Sequence, residues 1–482
     1  MDNGPIAPGP FPRSARRVVV VGGGISGLSA AYRVQERARE TGEAVHVTVL
    51  DAGERPGGVV ETGRRDGFLW EGGPDSFITE KPAALALSRL LDMEPQVIST
   101  NKNFQQSFVA RGDILLPTPE GFYLLAPSKL GPLFRTKILS WPGKVRAAME
   151  PLIPLRRGGA DESLASFVRR RLGSEVLDRL AQPMVAGIYS ADPERLSLQA
   201  TFPRFLDMEK KGGVLRSLWA ARKKGVKAPS GPRYGLFASF EGGVGSLVQA
   251  LLNRLPAETV VGKTVVRSVD KTRGGWRFIV NDGAVVEADG AILAVPSIVA
   301  AALLKSVDPI VSNLLAQTPY GDVATLNVAV RRDRLTHPLD GFGFVVPALE
   351  NRAVTGCTFS SVKFAGRAPE GFALLRAFVG GPVLTASDGG LCDAVLKDLQ
   401  GYLGLQGAPE WVELRRYPSS MPHYTLGHVD RVHDTFRRVS ELNCLELAGN
   451  GFWGIGLPDC VAGGTAAADR MIAALQIIES DR

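Results

Sequence analysis

Cysteine is scarce: four in 482 residues, Cys357, Cys392, Cys444 and Cys460, far apart and with no Cys-x-x-Cys pair. That excludes a disulfide scaffold and a cysteine zinc site, and it fits a reducing compartment. The five histidines add no metal-ligand spacing, so no metal is expected. Long apolar runs are missing as well. The longest, residues 291–304, is broken by Pro296 and Ser297 and is too short to span a bilayer. Residues 1–17 lead straight into four valines, too few for a signal-peptide core, and no small-residue cleavage site follows. The expectation is a cytoplasmic protein. Acidic residues fall short of basic ones, 49 against 56, giving a net charge of +7. This leaves nucleic acid, an anionic membrane surface or an anionic small molecule open as partners.

What is present is ordinary for a soluble globular chain, 45% hydrophobic and 22% charged, with length for about three domains. Glycine is the exception, at 55 residues, well above the roughly 7% of average usage. Such enrichment suggests backbone packed closely against something, such as a nucleotide. Residues 1–15 read as a disordered Pro/Gly-rich tail. Residues 18–21 read as a buried strand, 22–27 as a tight loop, 28–39 as a helix and 45–50 as a second strand. This is a βαβ unit of the dinucleotide-binding type. Residues 115–235 read as a mostly helical, basic insertion. Strands return at 259–270, 276–280 and 291–295, with hairpin turn chemistry at Asn281-Asp282-Gly283. The stretch 320–380 alternates like an antiparallel sheet. A closing helix carries Ala468, Met471, Ile472, Leu475 and Ile478 on one face.

The loop Gly22-Gly23-Gly24-Ile25-Ser26-Gly27 has the glycine spacing of a dinucleotide fingerprint. Gly22 permits the turn, Gly24 lets backbone amides approach a pyrophosphate, and Gly27 lets helix and strand pack. The helix N-terminus supplies unpaired donors and a positive dipole end. Asp51, ending the second strand, is placed to accept hydrogen bonds from a ribose and would repel a 2′-phosphate, which favours FAD or NAD over NADP.

The stretch from Asp51 and Ala52 through Arg55 to Gly57-Gly58 resembles the acid–Arg–Gly-Gly segment of flavin-dependent amine oxidases, and this separates FAD from NAD. Three further segments narrow the resemblance: Glu71-Gly72-Gly73-Pro74-Asp75-Ser76-Phe77, Ser420-Met421-Pro422-His423-Tyr424, and Gly449-Asn450 through Gly456-Leu457-Pro458-Asp459-Cys460. Together they resemble the FAD-dependent porphyrinogen oxidases of haem biosynthesis, above all the soluble bacterial branch that oxidises coproporphyrinogen III. The resemblance covers essentially the whole chain after residue 16.

It implies an α/β chain, α+β overall. A Rossmann-like FAD domain would be built from 16–80, 236–300 and 430–482, and a mixed-sheet substrate domain from 81–114 and 301–429. The 115–235 insertion, in relatives, borders the active-site entrance and can touch a membrane. The implied cofactor contacts are Gly22, Gly23, Gly24, Ile25, Ser26, Gly27, Asp51, Ala52, Arg55, Gly57, Gly58, Gly73, Pro74, Asp75, Ser76, Val266, Gly449, Asn450, Gly456, Leu457 and Pro458. Val266 falls where family members place backbone against the adenine.

The implied chemistry is hydride transfer from a porphyrinogen meso carbon to flavin N5, repeated three times, with O2 as acceptor and H2O2 as product. No protein nucleophile is required. One non-covalent FAD is implied, and Cys460 reads as a packed thiol rather than a covalent anchor. Lys81, Ser107, His423 and Tyr424 are the substrate-side candidates. Lys81 could meet a propionate, and Ser107 stands where membrane-type members have a propionate-binding Arg. That difference favours coproporphyrinogen III over protoporphyrinogen IX. Other readings are an FAD-dependent amine oxidase, a carotenoid desaturase, or a non-catalytic FAD-binding membrane adaptor. Nucleic acid is not expected, because the basic residues of 115–235 are interleaved with Leu, Trp and Pro. A peripheral membrane contact would use Phe122, Tyr123, Leu124, Leu125, Leu133, Phe134 and Trp141. The chain would be a monomer or homodimer.

Overall fold

A computed structural model describes residues 15–156, 158–223, 237–281 and 283–480. The tail 1–14, Asp282 of the predicted hairpin turn and the basic stretch 224–236 lie outside the described residues. The strands that frame the site are β1 (Arg16–Val21), β2 (Val45–Leu50), β3 (Val260–Val261), β4 (Gly290–Leu293), β5 (Tyr320–Arg331), β6 (Phe372–Val379), β7 (Trp411–Pro422) and β8 (Leu445–Leu447).

The first sheet is parallel, in the order β3-β2-β1-β4-β8. Its strands are near-continuous apolar runs because both faces are covered. Val18 and Val20 pack towards the first helix, while Val19 and Val21 pack towards the hairpin Gly275–Val280 and Ala284–Ala288 on the other side. The first helix runs Ile25–Thr41, longer than the sequence suggests. It starts directly after Gly24, so Gly27 already lies in its first turn, and it ends at Gly42, whose φ of 74° suits a glycine cap. The C-terminal helix Leu457–Ser480 lies against it so closely that a Cβ on Gly464 would sit 2.1 Å from the Ser26 carbonyl oxygen.

The second sheet is mixed. Its order is β7-β5-β6, then Val354–Phe359, Gly343–Val345, Phe108–Arg111 and Ile114–Pro117, with Gly343–Val345 parallel to Phe108–Arg111. The alternation expected over 320–380 does not hold in β5, whose residues from Ala324 to Val330 are all buried. Leu326, Val328 and Val330 pack with the helix Asp388–Leu403, and Ala329 packs with Phe68 and Trp70 of the hairpin Thr62–Arg65 and Phe68–Glu71. A strand sandwiched in this way has no solvent-facing side between Ala324 and Val330.

Helices between Leu130 and Lys223 surround a third core that includes Leu133, Phe167, Leu180 and Phe205. Within it Arg171 and Glu150, both fully buried, form an ion pair. The Glu150 carboxylate also accepts Val214 N–H at 2.9 Å and Leu215 N–H at 3.0 Å, so it caps the helix Val214–Lys223. Removing either partner of such a pair costs about 3–5 kcal/mol, because a buried charge is left alone.

Of the residues read as a membrane face, Phe122, Leu124, Leu125 and Leu133 are buried in this core, Phe134 is half-buried and Tyr123's side chain is not described. Trp141 alone is prominently exposed, at 66%. It begins a different ridge, with Val145 and Met149 roughly a helical turn apart and then Leu152 and Leu155, all exposed. Among the described residues no helix is long and apolar enough to cross a membrane.

Candidate functional site

The glycine loop between β1 and the first helix is shaped by contact on three sides and left open on the fourth. Gly22 has a φ of 104°, and a Cβ there would lie 2.5 Å from the Ala294 carbonyl oxygen; on Gly27 it would lie 1.9 Å from that of Gly22. A Cβ on Gly23 would meet the Asp51 carboxylate at 2.6 Å, whereas one on Gly24 would meet nothing within 4 Å. The bare backbone of Gly24 therefore faces open space at the start of a helix. There the first-turn amides of Ile25 and Ser26 have no intrahelical acceptor. This is the cradle a pyrophosphate fits.

Asp51 spends its carboxylate on backbone, accepting N–H from Gly23 and from Gly53 at 2.7 Å. Its main chain bonds Val261 and Thr264, which brings the segment leading to Val266 beside the end of β2 and exposed Ala52. Arg55 donates to the carbonyls of Val60 at 2.9 Å and Gly58 at 3.1 Å, fixing the turn that carries Gly57 and Gly58. Gly57 forms a bridge to Gly24. The same strip continues to Gly73, where an added Cβ would fall 1.7 Å from the Val59 carbonyl oxygen. A glycine-floored track thus runs from the head of the first helix to the second sheet.

At its far end the second sheet grips the chain by its carbonyls. Asn327 Nδ2 donates to Glu71 O at 2.9 Å, Thr325 Oγ1 to Gly72 O at 2.9 Å, and Arg376 Nη2 to both Gly72 O and Gly73 O. Lys363 donates to the Asp75 carboxylate at 2.9 and 3.0 Å and to Ser76 Oγ at 3.0 Å. Arg367 donates to Ser239 Oγ at 3.1 Å, which itself donates to Asp75 O at 2.8 Å. Burial alone would raise the Asp75 carboxyl, but the Lys363 and Arg376 cations outweigh it and hold the group well below the usual range. Gly73, Pro74, Asp75 and Ser76 keep an outer side half open. Asp75 therefore faces protein cations with its side chain and could offer a cofactor only its backbone.

The loop of residues 449–456 closes the opposite side. Tyr424 donates its hydroxyl to Asn450 O at 2.5 Å, His428 Nε2 bonds Phe452 O at 2.8 Å, and the two rings stack at 3.9 Å. Asn450 Nδ2 donates to Ser420 O at 3.2 Å. Burial pushes His428 down to about 4, so its ring is neutral and Nε2 carries the proton given to Phe452. Gly456 accepts from Cys460 N–H at 3.0 Å, opening the helix that begins Leu457-Pro458. The Cys460 thiol is pushed up to about 11 by burial, so it stays protonated.

The substrate-side candidates fare unevenly. Lys81, half exposed, is ion-paired with Asp459 at 2.7 Å. Ser107 is buried with its hydroxyl 3.1 Å from that of Thr118, and Tyr424 is spent on the loop. His423 keeps Nε2 buried without a hydrogen-bond partner among the described residues, close to Gly321. Sequence reading missed Thr325, Asn327, Lys363, Arg367 and Arg376. The signal for one was present: Arg376 is a lone charge inside the apolar run Phe372–Val379.

A family model described as flavin containing amine oxidoreductase matches residues 25–472. The chain is 33% identical to the coproporphyrinogen III oxidase of Bacillus subtilis, over 94% of this chain and 97% of that one. It is 32% identical to the chloroplast protoporphyrinogen oxidase 1 of Arabidopsis thaliana, over 92% and 86%. The chain belongs to the flavin-containing amine oxidoreductases, among the porphyrinogen oxidases. A solved structure from Exiguobacterium sp. 255-15, provisionally named a protoporphyrinogen oxidase, superposes with a TM-score of 0.85 at 31% identity, covering 96% of this chain and 99% of that one. The cyclohexylamine oxidase of Brevibacterium oxydans, at 14% identity and TM-score 0.70, shares the fold. This porphyrinogen-oxidase chain is thus a flavin-dependent oxidoreductase, and its glycine track, open at Gly24, suits a flavin dinucleotide.

Glu71, under the track, accepts from Thr62 Oγ1 at 2.6 Å and Val244 N–H at 2.8 Å, and burial raises it to about 7. The folded chain thus holds a proton there that the unfolded chain releases near pH 4.5. This contribution to stability is full at low pH and is lost as pH rises towards 7. In urea unfolding, wild type should lose stability relative to Glu71→Gln by up to about 1.4 kcal/mol per pH unit between pH 5 and 7, then level off. Parallel pH profiles for the two proteins would contradict the assignment.

Proposed function

We propose that the protein binds one FAD non-covalently along the glycine track and oxidises coproporphyrinogen III to coproporphyrin III. Three O2 would be consumed and three H2O2 formed. The observation that carries the reading is near-full-length similarity to bacterial coproporphyrinogen III oxidases. Three of them match at 30–34% identity over 94–98% of this chain. Flavin supplies the two-electron hydride acceptor, used three times per porphyrinogen.

The residues of the chain bind and position. Gly22, Gly23, Gly24, Ile25, Ser26 and Gly27 receive the pyrophosphate. Asp51, Ala52 and the backbone near Val266 take the adenosine end. Arg55, Gly57 and Gly58 floor the middle. Gly73, Pro74, Asp75 and Ser76, together with Gly449, Asn450, Gly456, Leu457 and Pro458, would hold the flavin ring. The protonated, buried Cys460 thiol suits non-covalent attachment. No side chain acts as nucleophile. The N–H proton released at each step leaves to water.

The substrate's propionates need cations. Ser107 offers none, and its hydroxyl is engaged by Thr118. Lys81 is half exposed, and a substrate carboxylate competes with Asp459 for it. His423, whose Nε2 has no hydrogen-bond partner among the described residues, is a further candidate contact.

Porphyrin fluorescence from FAD-loaded protein in air tests the reading with each porphyrinogen in turn. We expect clear acceleration over autoxidation with coproporphyrinogen III and little with protoporphyrinogen IX. In that assay Lys81→Met should raise KM several-fold with kcat little changed. The reverse substrate preference would place the enzyme on protoporphyrinogen, and no acceleration with firmly bound FAD would return the amines as substrates.

The ridge from Trp141 to Leu155, flanked by Arg135, Lys137 and Arg156, further supports a peripheral contact with anionic lipid. Co-sedimentation with anionic liposomes at low salt should fall sharply in Trp141→Glu. Equal sedimentation of both proteins, or none for wild type, would end the idea.

A further inference from the structure

The grip of the second sheet on residues 71–76 is also a concentration of charge. Lys363, Arg367 and Arg376 are exposed by only 5%, 3% and 4%. Their acidic neighbours are Asp75, bonded to Lys363 and 4.0 Å from Arg376 Nη1, and Glu71, which is itself buried. Among the described residues three buried cations thus face two carboxylates, leaving at least one positive charge in excess. Arg376 Nε is buried with no hydrogen-bond partner among the described residues. Buried charge of this kind is retained at a desolvation cost, and a packed apolar residue is often as stable or more stable in its place. That makes stability a poor reason for three cations.

Position supplies a better one. The cations do not reach the surface: Lys363 and Arg376 end on Gly72, Gly73, Asp75 and Ser76, while Arg367 donates to the carbonyls of Phe240 and Glu241 and reaches Asp75 O only through Ser239. The other side of Gly73–Ser76 is half open and continues the glycine track. Whatever lies on that outer side sits above the excess charge with one layer of backbone between. In a water-poor interior such a charge acts over that distance with little screening.

We propose that the buried Lys363–Arg367–Arg376 cluster sets the electron affinity of the flavin by lying beneath the segment on which its ring rests. This inference rests on the flavin placement proposed above. Accepting a hydride adds one negative charge to the ring, and fixed positive charge stabilises that product more than the oxidised form. The same charge favours addition of sulfite, which also leaves the ring negative. Asp75 works against the cations, so the two kinds of residue have opposite expected effects.

The test uses FAD-reconstituted full-length protein, with three readouts: the two-electron midpoint potential, the sulfite dissociation constant from bleaching of the visible flavin band, and the melting temperature. Lys363→Met should weaken sulfite binding about tenfold and lower the potential by the corresponding amount, about 30 mV. Asp75→Asn should shift both in the opposite direction, and Lys363→Arg should hold wild-type values. Should Lys363→Met not fold, Lys363→Gln makes the same charge change while retaining a donor for Asp75. Unchanged potential and sulfite affinity would overturn the proposal. So would shifts of the same sign in the Lys363 and Asp75 variants that track the loss of melting temperature, because these mark a structural role only. A wild-type protein that takes up no FAD would overturn the flavin placement itself, and this inference with it.

Discussion

Three consecutive carbonyls, those of Glu71, Gly72 and Gly73, are held by side-chain donors that belong to another sheet. This seam joins the mixed sheet to the end of the hairpin Thr62–Arg65 and Phe68–Glu71, at the point where the glycine track ends. Thr325, Asn327 and Arg376 can make it because β5 and β6 are central strands whose backbone groups are already paired with each other. Their polar side chains are therefore free for a neighbour. Each bond is worth about 1 kcal/mol net. Losing one partner would leave a buried carbonyl or cation unmatched and would cost more, so the seam acts as a unit. The remaining geometry follows from it: the partly exposed segment Gly73–Ser76 is fixed against strands β5 and β6.

The opposite wall is built by different means. Tyr424 and His428 stack on each other and hand one hydrogen bond each to the carbonyls of Asn450 and Phe452. Ser197 N–H also bonds Tyr424 O at 2.8 Å, tying this wall to the helical region. A loop rich in glycine has little preference for one conformation, and two neutral hydrogen bonds from buried side chains supply what its own residues cannot. One wall is thus ordered by charge and the other by neutral hydrogen bonds. An asymmetry of that kind suits a site where negative charge must develop on one side.

The parallel sheet was legible because β1 and β2 are short valine-rich runs on either side of a glycine loop, a pattern with few other uses. The tight turn at Gly22 and the close packing at Gly27 followed from the glycine spacing together with its flanking strand and helix, and the family resemblance added the segments at 71–77 and 449–460. Less visible was what those segments touch. Lys363 and Asp75 are 288 residues apart, and no local pattern pairs them. Alternation over 320–380 suggested a solvent-facing side for β5, whereas the hairpin carrying Phe68 and Trp70 covers it. The apolar residues around Phe122 suggested a membrane face because hydrophobicity does not distinguish core from surface. Burial put most of them inside and left the Trp141 ridge outside. Ser107 and Tyr424 were picked by position in a motif, and their hydroxyls turned out to be engaged within the protein.

The central claim is that one flavin dinucleotide lies along the glycine track between the two walls. Hydrogen–deuterium exchange of the protein with and without FAD measures this directly, since a bound cofactor suppresses local opening where it contacts backbone. The account predicts added protection in four separated stretches, 22–27, 51–58, 71–77 and 449–458, with the ridge 141–155 unchanged. Protection confined to 22–27 and 51–58 would show a nucleotide that stops short of the second sheet. Protection elsewhere, with these four stretches unchanged, would contradict the site altogether.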